Sequence, residues 1–135
     1  MNPVSTRIRI LLLADSHLGF DLPMRTRIER RRRGHDFLAN HDLALEPAKA
    51  GRVDLVVHGG DMFHRPRVHP SLVFQAFRPL LEIAERGVPV FVVPGNHERS
   101  RIPHDWLGSH PDLHIFRRPE TVMSQIRGVE VAVSG

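Results

Sequence analysis

Short apolar runs alternate with longer amphipathic stretches along this chain. The runs cover 7–14, 53–58 and 88–93, and the stretches between them cover 35–50 and 70–86. The first run is a compact apolar block of the kind found in a strand buried on both faces. In the longer stretches, apolar residues recur near the helical period. Alternating strands and helices predict an α/β fold with a parallel sheet, flanking helices and right-handed crossovers, in the order β-α-β-α-β.

The two predicted helices carry stop signals, and the tail carries strand signals. Gly51 and Gly87 stand where the helices should end. After His110 the pattern predicts two or three short strands, of which 129–134 is the clearest. We therefore expect all 135 residues to belong to one domain with a single core.

Composition narrows the chemistry of any site. The chain has no cysteine, so a metal ion would be held by imidazole, carboxylate, amide or water, a donor set that suits manganese, iron or zinc. No apolar stretch approaches the roughly 20 residues of a membrane helix, and the N-terminus lacks the pattern of a signal peptide. We expect a cytoplasmic protein without membrane contact.

The charge is +4, and every basic residue except Lys49 is arginine. Arg30 to Arg33 form an uninterrupted run. A basic surface suits a partner with a phosphate backbone, such as DNA. A genome that favours arginine codons and a solvated charge run explain the same pattern equally well.

Polar side chains follow each of the three apolar runs. Asp15 and His17 follow the first run, and Asp61 follows the second after two glycines. Residues just past the carboxyl ends of parallel strands meet in one crevice. There, Asp15 and His17 can face one ion if the backbone leaves extended geometry, and the Asp61 carboxylate can bridge two ions. Taken singly, each motif also fits an ordinary structural turn.

The third run leads into the most specific string, Gly95-Asn96-His97-Glu98. Asn96 offers a neutral amide oxygen to a metal. His97 can protonate a leaving oxygen as a general acid, and Glu98 can orient that imidazole and favour its charged form. Three such clusters in this order on three strand ends make a chance turn a poor explanation.

These three motifs together resemble the calcineurin-like metallophosphoesterases over about residues 7–101. The strings Ala-Asp-Ser-His-Leu-Gly at 14–19 and His-Gly-Gly-Asp-Met-Phe-His at 58–64 look most like the SbcD-type DNA-repair exonucleases. Glu98 is a mild departure, since aspartate is commoner there. The resemblance implies a metallophosphoesterase-type layered sheet, of which this chain forms the N-terminal portion.

The resemblance also implies roles for individual residues. Asp15 and His17 would hold a first metal, Asp61 would bridge both, and Asn96 would hold the second. His97 would assist catalysis. Two divalent ions, usually manganese in such nucleases, would activate a water for phosphodiester hydrolysis of DNA. For the intact protein it suggests a homodimer and an SMC-like ATPase partner.

The family places further histidine ligands beyond the position of Gly135. We therefore expect a truncated nuclease domain without its C-terminal metal-binding motifs, and a nearly inactive fragment. Two alternatives stay open: a small-molecule phosphatase or cyclic-nucleotide phosphodiesterase of the same superfamily, and a non-catalytic nucleic-acid-binding module. His64 and Arg65 follow the bridging aspartate, where they could contact phosphate or simply form a solvated loop.

Overall fold

A four-stranded parallel sheet forms the centre of the fold. The structure is a computed structural model that describes residues 6–20, 33–95 and 110–135. The sheet has the order β1-β2-β3-β4. Its strands are β1 (Ile10–Leu13), β2 (Leu55–His58), β3 (Val90–Val92) and β4 (Leu113–Ile115). The predicted α/β fold with a parallel sheet is confirmed, and each of the three predicted strands is shorter than its apolar run.

Two helices cover one face of this sheet. Helix α1 (Gly34–Lys49) and helix α2 (Pro70–Glu85) pack on the side chains of alternate strand residues. The core between the two layers contains fully buried residues such as Leu45, Phe77 and Val92. Both helices lie within one residue of the predicted bounds at each end.

Each helix ends where its glycine was expected. After α1, the Gly51 N–H donates to Ala48 O and the Arg52 N–H donates to Pro47 O. This pair of hydrogen bonds is the Schellman arrangement, which needs a residue with positive φ at the first position beyond the cap. Gly51 takes that position with φ +68° because it has no β-carbon to clash.

The other face of the sheet is covered only in part. Strands β5 (Thr121–Ile126) and β6 (Val129–Ser134) form an antiparallel hairpin. Ile126 of this hairpin packs with Leu55 of β2 and Phe91 of β3 in a second apolar cluster. The hairpin thus forms a small layer over the middle of the sheet.

The expectation that the first strand is buried on both faces is wrong. In β1, Ile10 is 56% exposed and Leu12 is 71% exposed. Both side chains lie on the hairpin side of the sheet, since they pair in register with Leu55 and Val57, which pack in the hairpin cluster. β1 is the edge strand of the sheet, and among the described residues nothing covers this part of its face.

Within the parts of the chain that the structure describes, no helix has the length and apolar character needed to cross a lipid bilayer.

Candidate metal centre

The loops that follow β1 and β2 run side by side beyond the sheet. The backbone N–H groups of Asp15, His17 and Leu18 donate to the carbonyl oxygens of three successive residues, at 3.0, 3.0 and 2.7 Å. The acceptors are Gly60, Asp61 and Met62. We call these two segments, 14–20 and 59–64, the site loops. Their hydrogen bonds continue the parallel pairing of β1 and β2, so the two loops are held as one unit.

The backbone of the site loops takes an uncommon conformation at the three predicted ligands. Asp15, His17 and Asp61 have φ values of 55°, 47° and 52°, in the left-handed region. Side chains with a β-carbon avoid this region, although aspartate tolerates it better than most. The conformation departs from extended geometry and turns the Asp15 and His17 side chains to the same side.

These three side chains converge on one point. Asp15, His17 and Asp61 each offer one donor atom, and these atoms all lie within 4.8 Å of one another. His17 Nε2 lies 3.6 Å from Asp15 Oδ1. The Asp15 side chain is 70% exposed, so the cluster opens toward solvent. Two carboxylates and one imidazole make a suitable donor set for manganese, iron or zinc.

Glycines make room for the Asp61 carboxylate. A β-carbon placed on Gly95 would overlap that carboxylate and would lie 2.6 Å from the Asp61 backbone nitrogen. On the other side of the turn, a β-carbon on Gly60 would approach Val93 O to 3.1 Å. The loop after β3 therefore lies directly against Asp61, and only a residue without a side chain fits there. The residues present fit a metal ion at this point.

The remaining predicted site residues fall into two groups. Asn96, His97 and Glu98 lie outside the described residues, directly after Gly95. His64 lies beside the donor cluster, with its ring centroid 5.9 Å from that of His17. Its ring also stands edge-on to Phe20, at a centroid distance of 4.8 Å. Arg65 follows His64 and is exposed.

A buried polar chain lies behind the site loops, and the sequence patterns did not predict it. His58, the last residue of β2, is fully buried and lies 2.9 Å from Ser16 Oγ through its Nε2 atom. Ser16 Oγ lies 3.3 Å from Nδ1 of His41, which is 5% exposed in α1. Burial lowers the pKa of both imidazoles, and for His58, with the help of nearby His41, to about 4.

Two comparisons with known proteins agree with this geometry. The family profile described as calcineurin-like phosphoesterase matches residues 8–131. Several curated relatives with the name DNA double-strand break repair protein Mre11 are also similar to the chain. The one from Archaeoglobus fulgidus is 32% identical over 88 residues, which are 65% of this chain and 19% of that protein.

Two further archaeal relatives of the same name match more of the chain. The protein from Haloferax volcanii is 30% identical over 82% of this chain and 24% of its own length. That from Methanosarcina mazei is 33% identical over 82% of this chain and 17% of its own length. The chain thus spans about a fifth of the length of the curated relatives that it matches.

Proposed function

Because the chain belongs to the calcineurin-like phosphoesterase family, we propose that it is part of a metal-dependent nuclease that hydrolyses DNA phosphodiester bonds. The family resemblance drawn from the three motifs is confirmed. One observation carries the proposal: Asp15, His17 and Asp61 bring their donor atoms within 4.8 Å of one another on strained loops at the carboxyl end of the sheet.

Each residue has a role in this proposal. Asp15 and His17 hold a first ion, Asp61 reaches both ions, and Asn96 holds the second. When bound, two divalent ions, manganese in our proposal, lower the pKa of water and neutralise charge on the phosphate. His97 donates a proton to the leaving oxygen, and Glu98 keeps its imidazole charged and oriented.

DNA is the substrate that we propose. The relatives at about 30% identity bear the name of a DNA double-strand break repair protein. In this chain, the exposed Arg65 and Arg67 follow His64, so two guanidinium groups stand close to the donor cluster. Guanidinium groups bind phosphate oxygens in pairs and would hold a DNA backbone beside the ions.

We further propose that the chain supplies the first half of a larger ligand set. Two ions in a hydrolytic centre need more protein donors than Asp15, His17, Asp61 and Asn96. The relatives extend over several times the length of this chain, which leaves room for additional histidines. On this basis the 135 residues alone cleave DNA weakly, and the longer protein works as a homodimer with an SMC-like ATPase.

A calorimetric titration with Mn²⁺ tests the metal centre directly. We expect Asp61→Asn to abolish Mn²⁺ binding, because an amide of the same shape lacks the charge that the ion requires. Asp42→Asn is the matched control, since Asp42 lies in α1 and pairs with Lys49 at 3.3 Å, away from the site loops. Equal Mn²⁺ affinity for all three proteins would refute the proposal.

The choice of DNA is tested by its salt dependence. Binding of a short DNA duplex should lose about two phosphate contacts in the double variant Arg65→Ala plus Arg67→Ala, which lowers the slope of log K against log salt by about 2. Arg52→Ala plus Arg86→Ala removes the same charge from the amino-terminal edge of the sheet and should leave the slope unchanged. Cleavage of a small phosphate ester in preference to DNA by the longer protein would favour a phosphatase instead.

A further inference from the structure

The buried polar chain behind the site loops connects five groups from different parts of the fold. The Gly60 N–H lies 3.2 Å from His58 Nδ1, and His58 Nε2 lies 2.9 Å from Ser16 Oγ. Ser16 Oγ lies 3.3 Å from His41 Nδ1, and His41 Nε2 lies 3.1 Å from Ala76 O. We call this series the histidine relay. It runs from the second site loop through the first into α1 and α2.

The two ends of the histidine relay determine the direction of every hydrogen bond in it. A backbone N–H can only donate, so His58 Nδ1 accepts from Gly60 and the proton of His58 sits on Nε2. That Nε2–H donates to Ser16 Oγ. At the other end Ala76 O can only accept, so His41 carries its proton on Nε2 and accepts the Ser16 hydroxyl proton at Nδ1. Every polar atom of the relay thus has one partner.

The relay touches the backbone next to each of the three converging donors. Ser16 stands between Asp15 and His17, and Gly60 directly precedes Asp61. All three donor residues have left-handed backbone, a conformation that persists only where the surroundings enforce it. The relay joins both site loops to the helices that pack beneath them. A buried network with all of its partners satisfied favours one arrangement over others.

We propose that the histidine relay positions the metal donors, with Ser16, His41 and His58 as positioning residues that touch neither ion nor substrate. Two buried imidazoles in an apolar layer cost more to desolvate than aliphatic side chains of similar size. In return they tie the site loops to α1 and α2 with directional bonds. The inference rests on the proposed metal centre, because positioning matters only if Asp15, His17 and Asp61 bind an ion.

The predicted tautomers can be observed without any metal. In ¹⁵N-labelled protein, long-range ¹H–¹⁵N correlation spectra of the imidazoles should show both His41 and His58 neutral at pH 7 and protonated on Nε2. Ser16→Ala should move the Nδ1 resonance of His41, which loses its hydrogen-bond donor. A proton on Nδ1 of either ring would overturn the relay.

Metal affinity then separates positioning from simple stabilisation. Ser16→Ala removes the central hydroxyl but no donor atom, and we expect it to weaken Mn²⁺ binding about tenfold, as losses of groups that orient metal ligands do. Ser16→Thr keeps the hydroxyl and should restore the affinity. The matched control is Ser71→Ala, which removes another serine–histidine hydrogen bond, 2.8 Å long, at the start of α2.

Thermal unfolding of the same variants gives the necessary comparison. Ser16→Ala and Ser71→Ala should both lower the melting temperature slightly, but only Ser16→Ala should lower Mn²⁺ affinity. If wild type and Ser16→Ala bind Mn²⁺ equally, the positioning role is wrong and the proposed function stands. If wild type binds no Mn²⁺, the proposed metal centre fails and the positioning role fails with it.

Discussion

The site loops and the turn of the β5–β6 hairpin use the same unusual backbone for different reasons. Among the described residues, four residues other than glycine have positive φ: Asp15, His17, Asp61 and Arg127. Arg127 lies with Gly128 in the two-residue connection between Ile126 and Val129, and both have positive φ. That is the pattern of a type I′ turn, which the twist of a tight hairpin requires.

No such local requirement applies in the site loops. Their left-handed residues are separated by others and are held by hydrogen bonds from a distant segment, such as that from the Asp15 N–H to Gly60 O. Strain that the local chain does not need, and that tertiary contacts maintain, is characteristic of functional sites. The hairpin turn shows what left-handed backbone looks like when it serves the fold alone.

Acid should affect the site loops most strongly. His58 has a pKa of about 4 in the folded chain, against about 6.5 when unfolded, because burial and nearby His41 disfavour its charge more than Asp15 favours it. The unfolded state therefore binds more protons as pH falls below 6.5. Folding stability should be constant above that pH, decline by about 3 kcal/mol as pH falls to 4, and level off below.

Urea unfolding at a series of pH values measures this decline. His58→Gln removes the titrating group and should flatten the profile between pH 6.5 and 4. His114→Gln is the control beside the hairpin, because His114 is only half-buried and lies 3.0 Å from Glu120. If both variants keep the wild-type profile, the acid sensitivity lies elsewhere.

Alanine substitution of glycine distinguishes crowding in the site from strain in the turn. Gly95→Ala brings a β-carbon against Asp61, and we expect it to cost about 2 kcal/mol and to abolish Mn²⁺ binding. Gly128→Ala meets nothing within 4 Å but has φ +76°, so it should cost about 1 kcal/mol. Mn²⁺ titration and urea unfolding give both numbers. Unchanged Mn²⁺ affinity in Gly95→Ala would contradict the close packing.

The smallest expected effect is a gain in stability. Glycine adopts left-handed backbone without strain, so His17→Gly and Arg127→Gly should each stabilise the chain by about 0.5 kcal/mol. For Arg127 the gain is reduced by loss of its surface ion pair with Asp54. Only His17→Gly should lose Mn²⁺ binding. If His17→Gly destabilises the chain instead, its backbone is not strained and the contrast with the hairpin is lost.

Much of the fold could be predicted from the sequence. Helix bounds followed from apolar periodicity and from Gly51 and Gly87, since both signals are local. The apolar block at 7–14 was misleading, because an edge strand and a central strand have the same composition. The exposure of Leu12 depends on where the hairpin packs, which no local pattern records.

The site was predictable to a lesser degree. The convergence of Asp15, His17 and Asp61 could be expected because the carboxyl ends of parallel strands share one crevice. Their left-handed backbone could not, since none of them is glycine. The histidine relay also left no signal, because His41 looks like any polar residue in an amphipathic helix. The roles of Asn96, His97 and Glu98 stay predictions.

The order in which the chain folds follows from its strand pairing. Ile126 pairs with Val129 across the hairpin turn, whereas Ile10 of β1 pairs with Leu55 of β2. A hairpin closes in about 1–10 μs, but contacts between distant segments form slowly because a long loop must first be closed. The metal donors therefore meet only once β1 and β2 have paired. An ion that binds there should slow unfolding and leave the folding rate almost unchanged.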